Sequence, residues 1–207
     1  MIRRLFTLAA IAALSGCSLL PDKPVREFSY DLGPQAVADA AVTPRGAPLV
    51  LPDVEVQGAL ESTAFFYRLG YADAYQLRPY AYAKWSSPPA QLIRQRLRDT
   101  LGRERPILDS AAAASLARRG GTTPPVLRVE LEEFSQVFES QAASQGVLRV
   151  RCTLLENSAA GERLVAQRTF TVQRPAPTAD APGGVRALSA ATDAAAAEIA
   201  AWLRQPR

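Results

Sequence analysis

Three segments in the second half of this 207-residue chain alternate apolar and polar residues, and this alternation restricts the fold more than any other feature. The segments are 126–138, 147–156 and 164–172. A period of two is typical of a β-strand that buries one face and exposes the other to solvent. Because the connections between the segments are short and polar, the sequence predicts an antiparallel meander.

Shorter extended segments are expected before the meander. Residues 28–32 alternate apolar and polar side chains. Residues 49–56 form a strand pattern that Pro52 interrupts, which favours a sheet edge or a bulge. Two aromatic segments, 64–69 and 74–82, lie close together in the sequence. Since aromatic residues favour strands, these two segments predict a β-hairpin.

Three other segments have the helical period. Ser86 and Ser87 precede two prolines, which predicts a serine-capped helix with proline in its first turn, ended by Gly102. Asp109 predicts the cap of a second, alanine-rich helix, and residues 185–202 carry the apolar face of a third. Together the elements predict an α+β fold: a single domain with an antiparallel-rich β-sheet packed against about three helices.

The N-terminus has the pattern of an exported protein. Arg3 and Arg4 precede an apolar run of about ten residues, too short to cross a bilayer, which ends in small residues and Cys17. This order resembles the bacterial lipobox, in which the cysteine is lipidated and the chain is cut directly before it. The sequence therefore predicts cleavage between Gly16 and Cys17, and acyl chains on Cys17 that hold the protein to a membrane. An ordinary signal peptide followed by a chance cysteine is the alternative.

That cleavage defines the predicted organisation of the chain. Residues 1–16 are the lipoprotein signal peptide, residues 17–24 are the lipidated N-terminus and a tether, and residues 25–207 are the folded domain. The tether contains two prolines and little bulk, which is typical of an extended connection that lets a domain stand off a bilayer.

The composition argues against several classes of function. The chain has no histidine, so Ser-His-Asp and Cys-His nucleophiles are excluded and the commonest neutral metal ligand is missing. With no phosphate-binding glycine loop or paired-cysteine spacing, we expect no catalytic residue, metal or cofactor, and no enzyme. Catalysis by two carboxylates stays open, although acidic residues such as Glu130 and Glu132 are expected on a solvated strand face.

Charge and cysteine content add two further expectations. The net charge of +4 falls to about +2 when the signal peptide and its two arginines are removed, which gives no indication of nucleic-acid binding. Cys152 lies on the apolar side of its segment, so a buried, unreactive thiol is expected there. With Cys17 acylated, no intramolecular disulfide is possible.

Residues 80–89, Tyr-Ala-Tyr-Ala-Lys-Trp-Ser-Ser-Pro-Pro, and the leucine-bearing helix after them form a recognisable signature. It resembles the tyrosine-rich Trp-x-x-Pro segment of the ABC-type transport auxiliary lipoproteins, a family that includes the PqiC-like lipoproteins of MCE-domain lipid transporters. The aromatic-arginine strand at 66–68, the Leu-x-Val-x-Leu-x-x-Phe strand at 127–134 and the ending at 199–203 are similar to the family as well. The resemblance covers nearly the whole chain after Cys17.

The resemblance implies an accessory subunit rather than the ATPase or the permease. Such a protein would be lipid-anchored at the periplasmic face of the outer membrane and would work with ABC transporter and MCE-domain subunits. The cargo would be phospholipid or another hydrophobic molecule, and Ser18 fits sorting to the outer membrane. A homo-oligomer is left open. The alternative is a structural or regulatory envelope lipoprotein, for example an activator of a cell-wall synthase, because fold alone does not determine function.

Tyr80, Tyr82 and Trp85 are the candidate residues for partner contact. Exposed aromatic side chains concentrate binding energy at protein interfaces, which favours this interpretation. The competing interpretation places the three rings in the core, where they would hold their strand against the following helix.

Overall fold

The computed structural model describes residues 26–34, 46–119, 123–158 and 161–206. The predicted signal peptide, Gly16, Cys17 and the tether at 17–24 lie outside the described residues. The strands are β1 (Phe28–Tyr30), β2 (Leu49–Val50), β3 (Glu55–Val56), β4 (Ala64–Leu69), β5 (Asp73–Trp85), β6 (Ile107–Leu108), β7 (Val126–Phe138), β8 (Ser144–Ser158) and β9 (Gly161–Pro175). The helices are α1 (Pro89–Leu101), α2 (Ser110–Arg118) and α3 (Ala181–Leu203).

β7 is the central strand of one mixed sheet. On one side it pairs with β8 in antiparallel register, and β8 pairs with β9, so the predicted meander is confirmed. On its other side β7 carries three strands in parallel along its length: β2 at its start, β3 at its middle and β4 at its end. The predicted aromatic hairpin is also confirmed, because β4 and β5 are antiparallel, and β1 adds to β5 in parallel.

One hydrophobic core lies between the sheet and the helices. α3 packs across β8 and β9, and α1 packs against α3. Gly146 of β8 allows the close approach of α3, since a Cβ atom there would lie 2.6 Å from the backbone nitrogen of Leu188. The largest buried side chains include Phe65, Trp85, Ile93, Phe134, Leu148, Phe170 and Leu188. Because the β4–β5 hairpin, the β7–β9 meander and the long helices share this core, the predicted α+β single domain is confirmed.

The opposite face of β7–β9 is polar and carries ion pairs. Arg149 Nε lies 2.9 Å from Glu132 Oε2, and Arg151 also contacts the Glu132 carboxylate. The register between β7 and β8 shifts next to Glu132, as at a β-bulge. Glu130 and Glu132 both lie on this polar face, as predicted, and the two arginines leave the Glu132 side chain less exposed than that of Glu130.

Of the two helix caps that the sequence predicted, one is confirmed. The predicted serine cap of α1 is wrong, because Pro88 occupies the cap position and no side chain accepts a hydrogen bond there. Asp109 caps α2 as predicted, and its Oδ1 accepts a hydrogen bond from Ala112 N at 2.7 Å. Asp180 caps α3 in the same way, which the sequence analysis did not predict.

Arg96 connects the chain after β1 to both long helices. Its buried guanidinium on α1 donates hydrogen bonds to the carbonyl oxygens of Leu32 at 2.6 Å and Gly33 at 2.9 Å. Arg96 Nη1 also lies 2.7 Å from Asp193 Oδ1 on α3. These charge-assisted contacts fix the place of β1, and thus of the sheet edge it forms, relative to the helices.

Candidate functional site

The candidate contact residues lie in an irregular part of β5. Ala64 of β4 pairs with Lys84 and Phe66 pairs with Pro79, so the four residues 80–83 stand opposite Phe65 alone. Proline cannot donate a hydrogen bond to a neighbouring strand, which is consistent with an irregularity that begins after Pro79. The chain therefore bulges at the tyrosine-rich segment, and its three aromatic side chains enter different environments.

Trp85 belongs to the core and is only 1 % exposed. Its ring centroid lies 4.9 Å from that of Phe65 and 5.2 Å from that of Phe134. Lys84 pairs with Ala64 of β4 and Ser29 of β1, and Trp85 pairs with Tyr30, so regular strand pairing resumes at the end of β5. Trp85 therefore packs in the core and is not accessible to a partner.

Tyr80 is half-buried and forms the floor of an aromatic cluster. Its ring centroid lies 4.9 Å from that of Phe65 and 4.6 Å from that of Tyr67. Its hydroxyl donates a hydrogen bond to Gln136 Oε1 at 2.8 Å. Burial, together with the nearby Tyr67 and Asp180, raises the pKa of Tyr80 well above its usual value, so the phenol stays neutral and keeps its proton for Gln136.

Tyr82 is 54 % exposed and opens onto an apolar groove beside β1. Phe28 on β1 is 57 % exposed and forms the other rim. The groove encloses a cavity volume of about 620 Å³ and is lined by Phe28, Tyr30, Tyr67, Pro79, Tyr80, Ala81, Tyr82, Ala83, Ala181 and Pro182. We call this set the aromatic groove. Within the described residues β1 pairs only with β5, so the groove lies at the sheet edge that the chain enters after the predicted tether.

Sequence reasoning named two residues of the aromatic groove and missed the others. Phe28 and Tyr30 could have been predicted from the sequence, because aromatic side chains at alternate positions of a short strand indicate a strand at a sheet edge. Pro182 could not, since it reaches the groove only through the packing of α3 on the sheet.

The groove has the chemistry of a binding surface rather than of a catalytic centre. Its lining is aliphatic and aromatic, with tyrosine hydroxyls as its polar side-chain groups. In the parts of the chain that the structure describes, no three His, Cys, Asp or Glu side chains are grouped so as to hold a metal ion. Across the same residues, no helix has both the length and the apolar character to cross a membrane.

Cys152 is buried in the core, which confirms its predicted position. Burial raises the pKa of the Cys152 thiol to about 12, because the thiolate would lose its hydration. The thiolate is the nucleophilic form of cysteine, so this side chain is inert at neutral pH.

Comparison with known proteins agrees with this fold and with the predicted family. The model of the ABC-type transport auxiliary lipoprotein component family matches residues 30–200. The chain belongs to this family. The match begins at Tyr30, the last residue of β1, and ends within α3, so it includes Tyr80 and Tyr82 of the aromatic groove.

Solved structures show the same architecture at low sequence identity. XCC0632 from Xanthomonas campestris, a DUF330 protein, is 18% identical with a TM-score of 0.67, over 85% of this chain and 94% of that chain. An uncharacterized protein is 16% identical with a TM-score of 0.60, over 86% of this chain and 99% of that chain. None of the curated proteins matches the chain by sequence.

Proposed function

We propose that this protein is a periplasmic lipoprotein, anchored in the outer membrane through acyl chains on Cys17. As an auxiliary component, it serves an ABC-type, MCE-associated transport system for lipids or other hydrophobic molecules. The lipobox-like N-terminus supports the anchor, because a lipobox cysteine is modified with acyl chains. At least two such chains are needed for stable attachment, since one chain binds a membrane only reversibly. Ser18 supports outer-membrane sorting through the resemblance described above. Membership of the auxiliary family supports the role beside a transporter.

The aromatic groove is the observation that carries the proposed adaptor role. It is an apolar recess, whereas the open face of β7–β9 is covered by ion pairs between arginine and glutamate. Tyrosine is among the residues that dominate binding energy at interfaces, since it brings a large rigid ring and a polar tip. Tyr80 is held by Gln136 and by its ring neighbours, so this part of the groove lining has a fixed position. We assign the docking of a transporter subunit to this groove.

Site-specific photo-crosslinking in intact cells tests this assignment. A photoreactive amino acid at Tyr82 is expected to capture an MCE-domain subunit. The matched control carries the same amino acid at Thr171, an exposed position of β9 outside the groove, and is expected to capture none. Capture of a cell-wall synthase from the Tyr82 position, without any transporter subunit, would replace this proposal with the structural or regulatory alternative.

A further inference from the structure

The exposed aromatic side chains are gathered on one part of the molecule. Among the residues that the structure describes, the exposed large aromatic side chains are Phe28, Tyr71, Tyr75 and Tyr82. All four lie on β1 or on the β4–β5 hairpin. Phe28 and Tyr82 belong to the aromatic groove, whereas Tyr71 and Tyr75 lie at the far end of the hairpin. We call residues 70–76 the aromatic tip.

The aromatic tip is held in a defined conformation. Arg68 donates hydrogen bonds from Nη1 to the carbonyl oxygens of Ala74 at 3.3 Å and Tyr75 at 3.5 Å, and its Nη2 lies 3.3 Å from Glu133 Oε2. The backbone nitrogen of Tyr75 donates to Asp73 Oδ1 at 2.9 Å. Tyr75 is nevertheless 97 % exposed and Tyr71 is 48 % exposed. Two rings are thus exposed at a hairpin end that one ion pair and several hydrogen bonds fix to the sheet.

The direction of β1 places the predicted anchor on the side of the aromatic tip. β4 runs toward the tip and β5 runs away from it, and β1 is parallel to β5. The N-terminal end of β1 therefore points toward the tip, and the chain that comes from Cys17 enters the domain from that side. β7 and β9 place the opposite end of the sheet at Val126 and Leu164, where exposed apolar residues are aliphatic.

The length of the tether allows the tip to reach the bilayer. Ser29 and Ala64 both pair with Lys84, and Leu69 lies five residues further along β4, so the tip is about 17 Å beyond the level of Ser29. Ser29 follows Cys17 by twelve residues, which span at most about 40 Å when fully extended. The reach of the tether exceeds the distance to the tip, so acyl chains in the bilayer and a tip on its surface are compatible.

We propose that Tyr71 and Tyr75 of the aromatic tip contact the headgroup region of the membrane that holds Cys17. Tyrosine suits this layer because its ring is apolar and its hydroxyl stays hydrated. The contact orients the domain on the bilayer and leaves the aromatic groove accessible to a protein partner. The inference rests on the lipidation of Cys17 in the proposed function.

Fluorescence quenching by brominated lipid tests the contact. The full lipidated chain is prepared with Tyr75→Trp and reconstituted into phosphatidylethanolamine–phosphatidylglycerol vesicles that contain brominated phosphatidylcholine. The emission of the new indole is expected to be quenched and shifted to shorter wavelength, after subtraction of the signal of the buried Trp85 and Trp202. The matched control is Leu164→Trp, an exposed position at the opposite end of the sheet, which is expected to show neither change.

Two readouts separate this inference from the proposed function. Fatty-acid labelling of the same preparations reports lipidation of Cys17, and a lack of label contradicts the anchor itself. A labelled Tyr75→Trp protein that is quenched no more than the labelled Leu164→Trp protein overturns the tip contact alone. Greater quenching of the Tyr75→Trp protein supports the tip contact, whether or not photo-crosslinking from Tyr82 captures a transporter subunit.

Discussion

A single glycine controls how closely the long C-terminal helix approaches the sheet. A Cβ atom on Gly146 would lie 2.6 Å from Leu188 N and 2.7 Å from the carbonyl carbon of Ala187, and these backbone atoms cannot rotate away. We expect Gly146→Ala to lower the free energy of unfolding by about 1–3 kcal/mol, since α3 must shift from β8. Chemical denaturation measures the loss. Gln145→Ala is the control at the adjacent position, which faces the other side of the sheet, and an equal loss there would contradict the explanation.

The start of α3 depends on one carboxylate. Asp180 accepts hydrogen bonds from the Thr178 hydroxyl at 2.6 Å and from Gly183 N at 2.8 Å, and these bonds lower the pKa of the Asp180 carboxyl below its usual range. Removal of such a cap costs about 1 kcal/mol, so Asp180→Ala is expected to lower the free energy of unfolding by that amount near neutral pH. Asp180→Asn keeps an acceptor and is expected to lose much less.

The pH dependence of this cap has a defined sign. Because the pKa of Asp180 is lower in the folded state, the ionised carboxylate stabilises the fold above its ordinary value of 3.8. That stabilisation is lost as the pH falls through the folded-state pKa. In denaturation curves measured at decreasing pH, the stability difference between the unchanged protein and Asp180→Ala should shrink. A difference that stays constant in acid would contradict the role of the charge.

The elements that the sequence predicted are those whose pattern is local. Alternation indicated β7, β8 and β9, and the helical period indicated α1 and α3, because burial of one face repeats along the chain. The parallel pairing of β4 with β7 left no such pattern, since it joins residues 67–69 to residues 136–138, which are far apart in the sequence. The serine cap failed for a related reason: Ser86 N donates to Tyr30 O of β1, so that stretch still follows the sheet edge.

The candidate site was predictable in composition and not in arrangement. The sequence grouped Tyr80, Tyr82 and Trp85. Because β5 bulges there, Trp85 lies in the core, Tyr80 lies at the bottom of the groove and Tyr82 lies at its rim. The aromatic groove is also lined by Pro182 of α3, which is about a hundred residues away from Tyr82 in the sequence. Such distant contacts follow from packing of the whole domain, which a local pattern does not record.

At the scale of the whole molecule, anchoring and folding are expected to depend on different cysteines. The core of the described residues runs from Leu32 to Leu203 and includes the fully buried Cys152, so we expect the fold not to need Cys17. We expect Cys17→Ser to lose fatty-acid label and membrane association while the free energy of unfolding stays unchanged. Cys152→Ser should keep the label and lose about 1–3 kcal/mol, because it places a hydroxyl in apolar surroundings.

Metabolic labelling, membrane fractionation and denaturation of both variants measure these expectations together. Each variant is the control for the other, since the same chemical change is made at an anchor position and at a core position. Label that persists in Cys17→Ser would exclude this cysteine as the lipidation site. A loss of stability in Cys17→Ser equal to that of Cys152→Ser would show that the N-terminus belongs to the folded unit. The opposite responses of the two variants would instead support a domain that folds independently of its anchor.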